Sequence, residues 1–413
     1  MLFVVPPLAG HVNPTVAVGS ELASRGHRVA WAGPYGVLAG LLPSHARVLP
    51  AGEPTGGGYA ALHERWRDLR GVAALRFLWD EALVPLARAM VPGVTEAVRA
   101  FRPDVVVADQ QALAGPVVAR RLGVPWATSA STSAELTGPF EGFPKVGEWV
   151  SGRISALLAG FEADGSGSGP RSVPGSLSGS VPTTVPGTGP GSGWDPRFSE
   201  RLVLVFSTPE LVGAEREFPD HYAFVGPAFG SRPPSPGFPW QLLDPGRRRV
   251  LVSLGTLNRE AGGRFYAAVA GAAERLAADG VQLVLAAPPA LVPGPLPEGT
   301  LLQDTVPQLD LLPHLDAVVT HGGHNTVCEA LAHGLPLVVA PIRDDQPFVA
   351  QQVVAAGAGL RVRFGRTRAE ELRDAITAVL DDPVHRRGAR RVQASFAAAG
   401  GAAAAADRLE KLA

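Results

Sequence analysis

Two sets of residues in this chain of 413 amino acids have the types and spacing to do chemistry. The first begins with His11, in the run Pro6-Pro7-Leu8-Ala9-Gly10-His11-Val12-Asn13-Pro14 that follows the apolar Met1–Val5. A neutral imidazole takes a proton from a hydroxyl, which makes His11 a candidate general base. Asn13 reads as a helix cap with Pro14 at the first helical position, so His11 is expected in the loop before a helix running to about Arg25. The positive end of that helix disfavours imidazolium and helps keep the base neutral. Asp109 ends the run Asp104–Ala108 and precedes Gln110 and Gln111. If the two strands are neighbours, Asp109 bonds one ring nitrogen of His11 and aims the other at a substrate. Two plainer readings fit the same residues: a loop histidine that is only structural, and an aspartate that caps the next helix. Sequence separation does not choose between them.

The second set lies between Thr320 and Gln346. Thr320-His321-Gly322-Gly323-His324-Asn325-Thr326 reads as a strand end, a tight glycine turn and a helix start near Asn325, with the helix stopping at Gly334 before Pro336. Glycines let the backbone approach an anion, and the free N–H groups of a helix start bind phosphate. Asn325 and Thr326 add side-chain donors, and His321 can bond a phosphate oxygen. Glu329 lies four residues after Asn325, on the same helical face, where a carboxylate suits two ribose hydroxyls. Downstream, Leu337–Ala340 ends in Pro341-Ile342-Arg343-Asp344-Asp345-Gln346, which sets two acids and an amide at a sheet edge. Val252-Ser253-Leu254-Gly255-Thr256 is another strand-to-glycine turn where backbone can meet a diphosphate. Each signal is weak alone, because glycine turns before helices also serve as plain connections.

Positioning these residues takes strands that end side by side. Short Val/Leu/Ile-rich runs alternate with helical stretches along the whole chain, the pattern of an α/β protein with parallel sheets. The strands read as Leu2–Val5, Arg28–Ala32, Arg47–Leu49, Asp104–Ala108, Trp126–Ser129, Leu202–Phe206 and Tyr222–Val225 in the first half. In the second half they are Val250–Leu254, Gln282–Ala286, Leu301–Gln303, Ala317–Thr320, Leu337–Ala340 and Leu360–Val362. Two such series imply two doubly wound sheets. We therefore expect a first domain at 1–227, a proline-rich linker at 228–248, a second domain at 249–395, and a C-terminal helix at 396–413 packing back toward the first domain. Within the first domain, 164–193 is rich in Gly, Ser, Pro and Thr and reads as a flexible insert, either an inert loop or a flap beside a pocket.

Taken together the motifs resemble the GT-B glycosyltransferases of family 1, in the macrolide and natural-product group. The resemblance rests on Gln308, Thr320–Gly323, Asn325-Thr326, Glu329, Gly334-Leu335-Pro336 and Asp345-Gln346. It extends to the Gly10–Pro14 loop and the Pro103–Asp109 strand, and covers the chain apart from the insert. It implies two Rossmann-like domains facing each other across a cleft. It makes His11 the base and Asp109 its orienting acid. His321, Asn325 and Thr326 would hold the diphosphate, Glu329 the ribose, and Asp345 with Gln346 the sugar hydroxyls. Gln308, Gly322, Gly323, Ser253, Gly255 and Thr256 complete the implied donor site. The implied reaction is inverting transfer of a hexose or deoxyhexose from a UDP- or dTDP-sugar to a hydroxyl of a small hydrophobic acceptor, a polyketide or other secondary metabolite. The nucleotide sugar is a co-substrate, and no metal or other cofactor is implied. The chain departs from the family at Thr305, where a tryptophan often stacks on the nucleobase, so UDP and dTDP both stay open. His324 has no assigned role. A sugar-nucleotide epimerase of the same fold and a non-catalytic ligand-binding protein are the alternatives. A dinucleotide-dependent oxidoreductase ranks below them, since no G-x-G-x-x-G follows either domain's first strand.

Composition narrows the field further. The net charge of −1 supplies no basic field for nucleic acid or an anionic membrane. The single Cys328 excludes an intrachain disulfide and a cysteine-rich metal site. The N-terminus lacks the basic flank of a secretory signal, and no apolar run reaches the ~18 residues of a membrane span. A cytoplasmic protein is expected, as a monomer or homodimer. For the acceptor, Trp66, Phe77, Trp79, Phe140, Phe143 and Trp149 suit either a hydrophobic pocket or core packing.

Overall fold

The computed structural model describes residues 1–52, 58–164, 194–230, 232 and 237–413. All but the first residue of the insert expected at 164–193, and most of the prolines of the linker, therefore lie outside the described residues. The first sheet contains β1 (Leu2–Val4), β2 (Ala30–Gly33), β3 (Val48–Pro50), β4 (Val106–Asp109), β5 (Trp126–Ala130), β6 (Val203–Val205) and β7 (Tyr222–Phe224). Its order is β3-β2-β1-β4-β5-β6-β7, with every neighbouring pair parallel. The second contains β8 (Arg248–Ser253), β9 (Val281–Ala286), β10 (Leu301–Gln303), β11 (Ala317–Thr320), β12 (Leu337–Val339) and β13 (Gly359–Arg361). Its order is β10-β9-β8-β11-β12-β13, again all parallel. Each sheet is doubly wound, as the alternating pattern implies.

Alternation along the strands explains the layers. In β1 and the residue after it, Leu2 and Val4 join Met90, Val94 and Phe101 in one core, while Phe3 and Val5 join Val12, Leu22 and Trp31 in the other. In the second sheet, Val250 and Val252 face Phe265 and Tyr266, and Leu251 faces Val327 and Leu331. Both faces are covered by helices, so strands read as continuous apolar runs. Each large side chain buried this way contributes about 1.5–3 kcal/mol.

Order also decides where the chemistry collects. The winding reverses between β1 and β4 in the first sheet and between β8 and β11 in the second. Ligands in such sheets bind outside the carboxyl ends of strands at these reversals. His11 follows β1 and Asp109 ends β4, while Ser253 ends β8 and His321 follows β11.

The first helix departs from the sequence reading. It spans Ala9–Ser24, with Leu8 as its N-cap, and Pro14 lies inside it. His11 is thus in the first helical turn and not in a loop. Tertiary contact of Val12, Val16 and Leu22 with the core holds a turn that local capping signals did not mark. The C-terminal segment also differs in detail: Phe396 belongs to the helix Pro383–Ala399, which ends at Gly400 with a left-handed φ of 87°. The last helix, Gly401–Glu410, inserts Ala405, Ala406 and Leu409 into the core under the first helix. Arg25 donates to Asp407 at 2.6 Å and Glu410 at 2.9 Å along the same seam. Among the described residues, no helix is long and apolar enough to cross a membrane.

Candidate active site

The parallel pairing of β1 with β4 brings together two residues 98 positions apart. His11 Nδ1 lies 2.9 Å from Asp109 Oδ1. A carboxylate only accepts, so Nδ1 carries the proton and Nε2 is left as the basic nitrogen. Asp109 is 1% exposed. Its Oδ1 also accepts the Gln111 N–H at 2.9 Å, so the same carboxylate closes a local turn. Ser131, one residue beyond β5, adds a third group: its Oγ donates to Asp109 Oδ2 at 2.6 Å and lies 2.7 Å from His11 Nδ1. Burial works against the imidazolium, but the charge and hydrogen bond of Asp109 outweigh it, with Asp345 and Glu135 adding to them, and the His11 pKa is raised. The helix start was expected to keep this imidazole neutral. The neighbouring carboxylates are stronger.

On the second sheet, His321 packs between two glycines. A Cβ at Gly255 would fall 2.6 Å from its Cε1, and one at Gly323 would fall 2.6 Å from its Nε2. No larger residue fits either place without moving the ring. Burial and the charge of Arg343 pull the His321 pKa down to about 4, so the ring is neutral. The helix His324–Ala332 starts directly beyond, with Gly323 as its N-cap. Gly322 makes the preceding turn at a φ of 90°. Thr326 is half-buried in the first helical turn. Ser253 Oγ accepts the Gly255 N–H at 3.3 Å, and Thr256 follows in the helix Gly255–Asn258, its side chain outside the described residues.

Glu329 is 2% exposed and engaged on both oxygens. Gln308 Nε2 donates to Oε2 at 2.5 Å, and Arg232 from the linker pairs with Oε1. Burial raises the Glu329 pKa, and Arg232 and Gln308 offset only part of that. Gln346 spends its Oε1 on the Ile342 and Arg343 N–H groups, at 2.9 and 3.1 Å, and so pins the turn that carries Asp345. Asp344 sits in that turn at a φ of 56°, and burial with the charge of Asp345 pushes its carboxyl to about 7.

The two halves of the site meet through side chains. Thr132 Oγ1 donates to Asp345 Oδ2 at 2.7 Å, and Ser133 Oγ donates to Gln352 Oε1 at 2.7 Å. Asn325 Nδ2 donates to the Gly10 carbonyl at 2.9 Å. Arg343, 3% exposed, donates to the Trp66 carbonyl at 2.6 Å and Asn258 Oδ1 at 2.8 Å, with its guanidinium 4.7 Å from the Trp66 ring centre. His324 is buried at this boundary, 3.3 Å from the Phe206 carbonyl. Sequence reading missed Ser131, Thr132, Ser133 and Arg232. Three hydroxyls just past the strand beside β4 were the available signal, but Ser and Thr there are too common to stand out. Of the aromatic residues weighed for an acceptor pocket, Trp79 is core, packed with Leu83, Leu113 and Leu157, whereas Phe143 is 65% exposed. Among the described residues, no group of three or more His, Cys, Asp or Glu is placed to hold a metal ion.

Known proteins share this architecture. The family described as UDP-glucoronosyl and UDP-glucosyl transferase matches residues 231–394. The demethyllactenocin mycarosyltransferase of Streptomyces fradiae is 32% identical over 99% of this chain and 86% of its own length. The 4'-demethylrebeccamycin synthase of Lentzea aerocolonigenes is 29% identical over 100% of this chain and 99% of its own. Among solved structures, the glycotransferase of kitacinnamycin superposes with a TM-score of 0.74 at 26% identity, covering 100% of this chain and 98% of that one.

Proposed function

Since the chain belongs to the UDP-glucoronosyl and UDP-glucosyl transferase family and is a glycosyltransferase, we propose that it transfers a hexose or deoxyhexose from a UDP- or dTDP-sugar to a hydroxyl of a small hydrophobic secondary metabolite, with inversion. The observation that carries the site assignment is the meeting of His11–Asp109 with Asp345 through the consecutive residues Ser131 and Thr132. One lip holds a base, and the other holds a helix N-terminus beside a neutral histidine.

In this reading His11 Nε2 takes the proton of the acceptor hydroxyl as its oxygen bonds the anomeric carbon. The bond from that carbon to the diphosphate oxygen breaks, and the nucleoside diphosphate leaves with the electron pair. The start of the helix His324–Ala332, with His321, Asn325 and Thr326, stabilises the departing charge. Glu329, with Gln308 fixing its carboxylate, takes the ribose once Arg232 yields its place. Asp345 and the turn pinned by Gln346 meet the sugar hydroxyls. The chemistry of these groups calls for no metal, and the setting proposed is the cytoplasm.

The test is product analysis with UDP- and dTDP-sugars and a panel of phenolic and polyketide acceptors. A glycoside with inverted anomeric configuration is the expected product. An epimerised sugar nucleotide, or binding without turnover, would support the rival readings that the relatives do not favour.

A further inference from the structure

We propose that Ser131 is a positioning residue for the His11–Asp109 pair, setting the orientation and basicity of His11 when the domains are closed. This rests on His11 being the base. Ser131 Oγ spends its hydrogen on Asp109 Oδ2 at 2.6 Å and turns a lone pair toward the His11 Nδ1–H at 2.7 Å. That N–H is therefore shared between Asp109 Oδ1 and the hydroxyl, and the two acceptors together restrict rotation of the ring. Ser131 is 4% exposed, so water does not stand in for it. Without the hydroxyl, Asp109 Oδ2 is a buried oxygen with a lost partner, and the carboxylate charge bears more fully on the imidazole.

The position of Ser131 is itself decided across the cleft. The next residue, Thr132, donates to Asp345, and Ser133 donates to Gln352, both on the second domain. Three consecutive hydroxyls thus tie the base to the turn proposed to hold the donor sugar and to the helix Gln346–Ala355 that follows it. Ala130 ends β5, whose register sets Ser129 opposite Asp109, so the segment needs only two residues to fold back over the end of β4.

The experiment is a 15N titration of histidine-labelled full-length protein, with His11 assigned by its loss in His11→Ala. It is run beside turnover on the donor and acceptor pair that yields product. Asp109, Asp345 and Glu135 are the charged groups acting on His11 in both proteins. In Ser131→Ala the His11 midpoint moves to higher pH and kcat falls roughly ten- to hundred-fold. Donor KM stays within about two-fold, and Ser131→Thr restores most of the rate. If Ser131→Ala does not fold, the near-isosteric Ser131→Cys takes its place. A wild-type midpoint and wild-type kcat in the hydroxyl-less variant overturn the proposal, even if its melting temperature drops. His11→Ala separates the two ideas: full turnover there sinks the base assignment, while its loss beside an unaltered Ser131→Ala sinks only the role of Ser131.

Discussion

Asn325 donates to the carbonyl of Gly10 across the domain boundary at 2.9 Å, and Pro14 is the reason that oxygen lacks its usual helical partner four residues on. In an uninterrupted helix the N–H four residues on would take the Gly10 carbonyl, but proline has none. The side chain proposed to hold the diphosphate is therefore bonded to the helix that carries the proposed base. A neutral bond of this kind is worth about 0.5–1.5 kcal/mol, and bonds to a charged group are about twice as strong. An incoming diphosphate therefore wins the amide. In the proposed site, donor binding draws on groups already engaged across the boundary at Asn325 and Asp345 and with the linker at Glu329.

Removing the base separates chemistry from binding. His11→Ala should lower turnover by ~10²–10⁴. Nucleotide affinity by calorimetry should stay near wild type, because the proposed phosphate site lies on the other sheet. A folded variant with wild-type turnover would refute the assignment.

The pH dependence follows from the raised His11 pKa. The imidazolium cannot accept a proton, so turnover is lost as pH falls through that pKa. The midpoint of the acid limb should lie above the ~6.5 of a free imidazole. Asp109→Asn removes the largest force that raises it, so the limb should move to lower pH while the maximal rate falls. A limb that stays in place would reduce Asp109 to its local turn with Gln111.

Glu329→Ala should weaken UDP or dTDP binding by ~10-fold or more, the loss of roughly 1.5–3 kcal/mol of charge-assisted bonding. It also leaves Arg232 and Gln308 without their acceptor. Equal affinity in a nucleotide titration would make this face of the helix a packing surface and nothing more.

Asp345→Ala acts on the sugar and the closure together. It should spare free UDP or dTDP and weaken the full nucleotide sugar. Thr132→Val removes the interdomain bond, together with a weaker local one from the Ala134 N–H at 3.3 Å, so it should disturb turnover more than donor affinity. Titrating both variants with nucleotide and with nucleotide sugar checks the division.

Gly255→Ala tests the histidine cradle. The added Cβ meets the His321 ring at 2.6 Å from a backbone φ of 68°, which alanine rarely adopts. The ring must shift, and nucleotide affinity should drop about ten-fold. The first domain, probed through the fluorescence of Trp31 and Trp126, should be unaffected.

The thirteen strands among the described residues and their division into two parallel sheets were legible in the amino-acid order, because burial on both faces demands uninterrupted Val, Leu and Ile. Turns before helices likewise show in local glycines. The closeness of His11 and Asp109 was legible only as a condition, and the strand order β2-β1-β4 met it. The start of the first helix was misplaced because Pro14 resembles a first helical residue, whereas burial of Val12 and Val16 extends the helix back to Ala9. The partners Ser131, Thr132, Arg232 and the Gly10 carbonyl came only from tertiary structure. Hydroxyls, arginines and backbone oxygens carry no periodic signal, and what each one bonds is settled by which strand ends and which domain face arrive beside it.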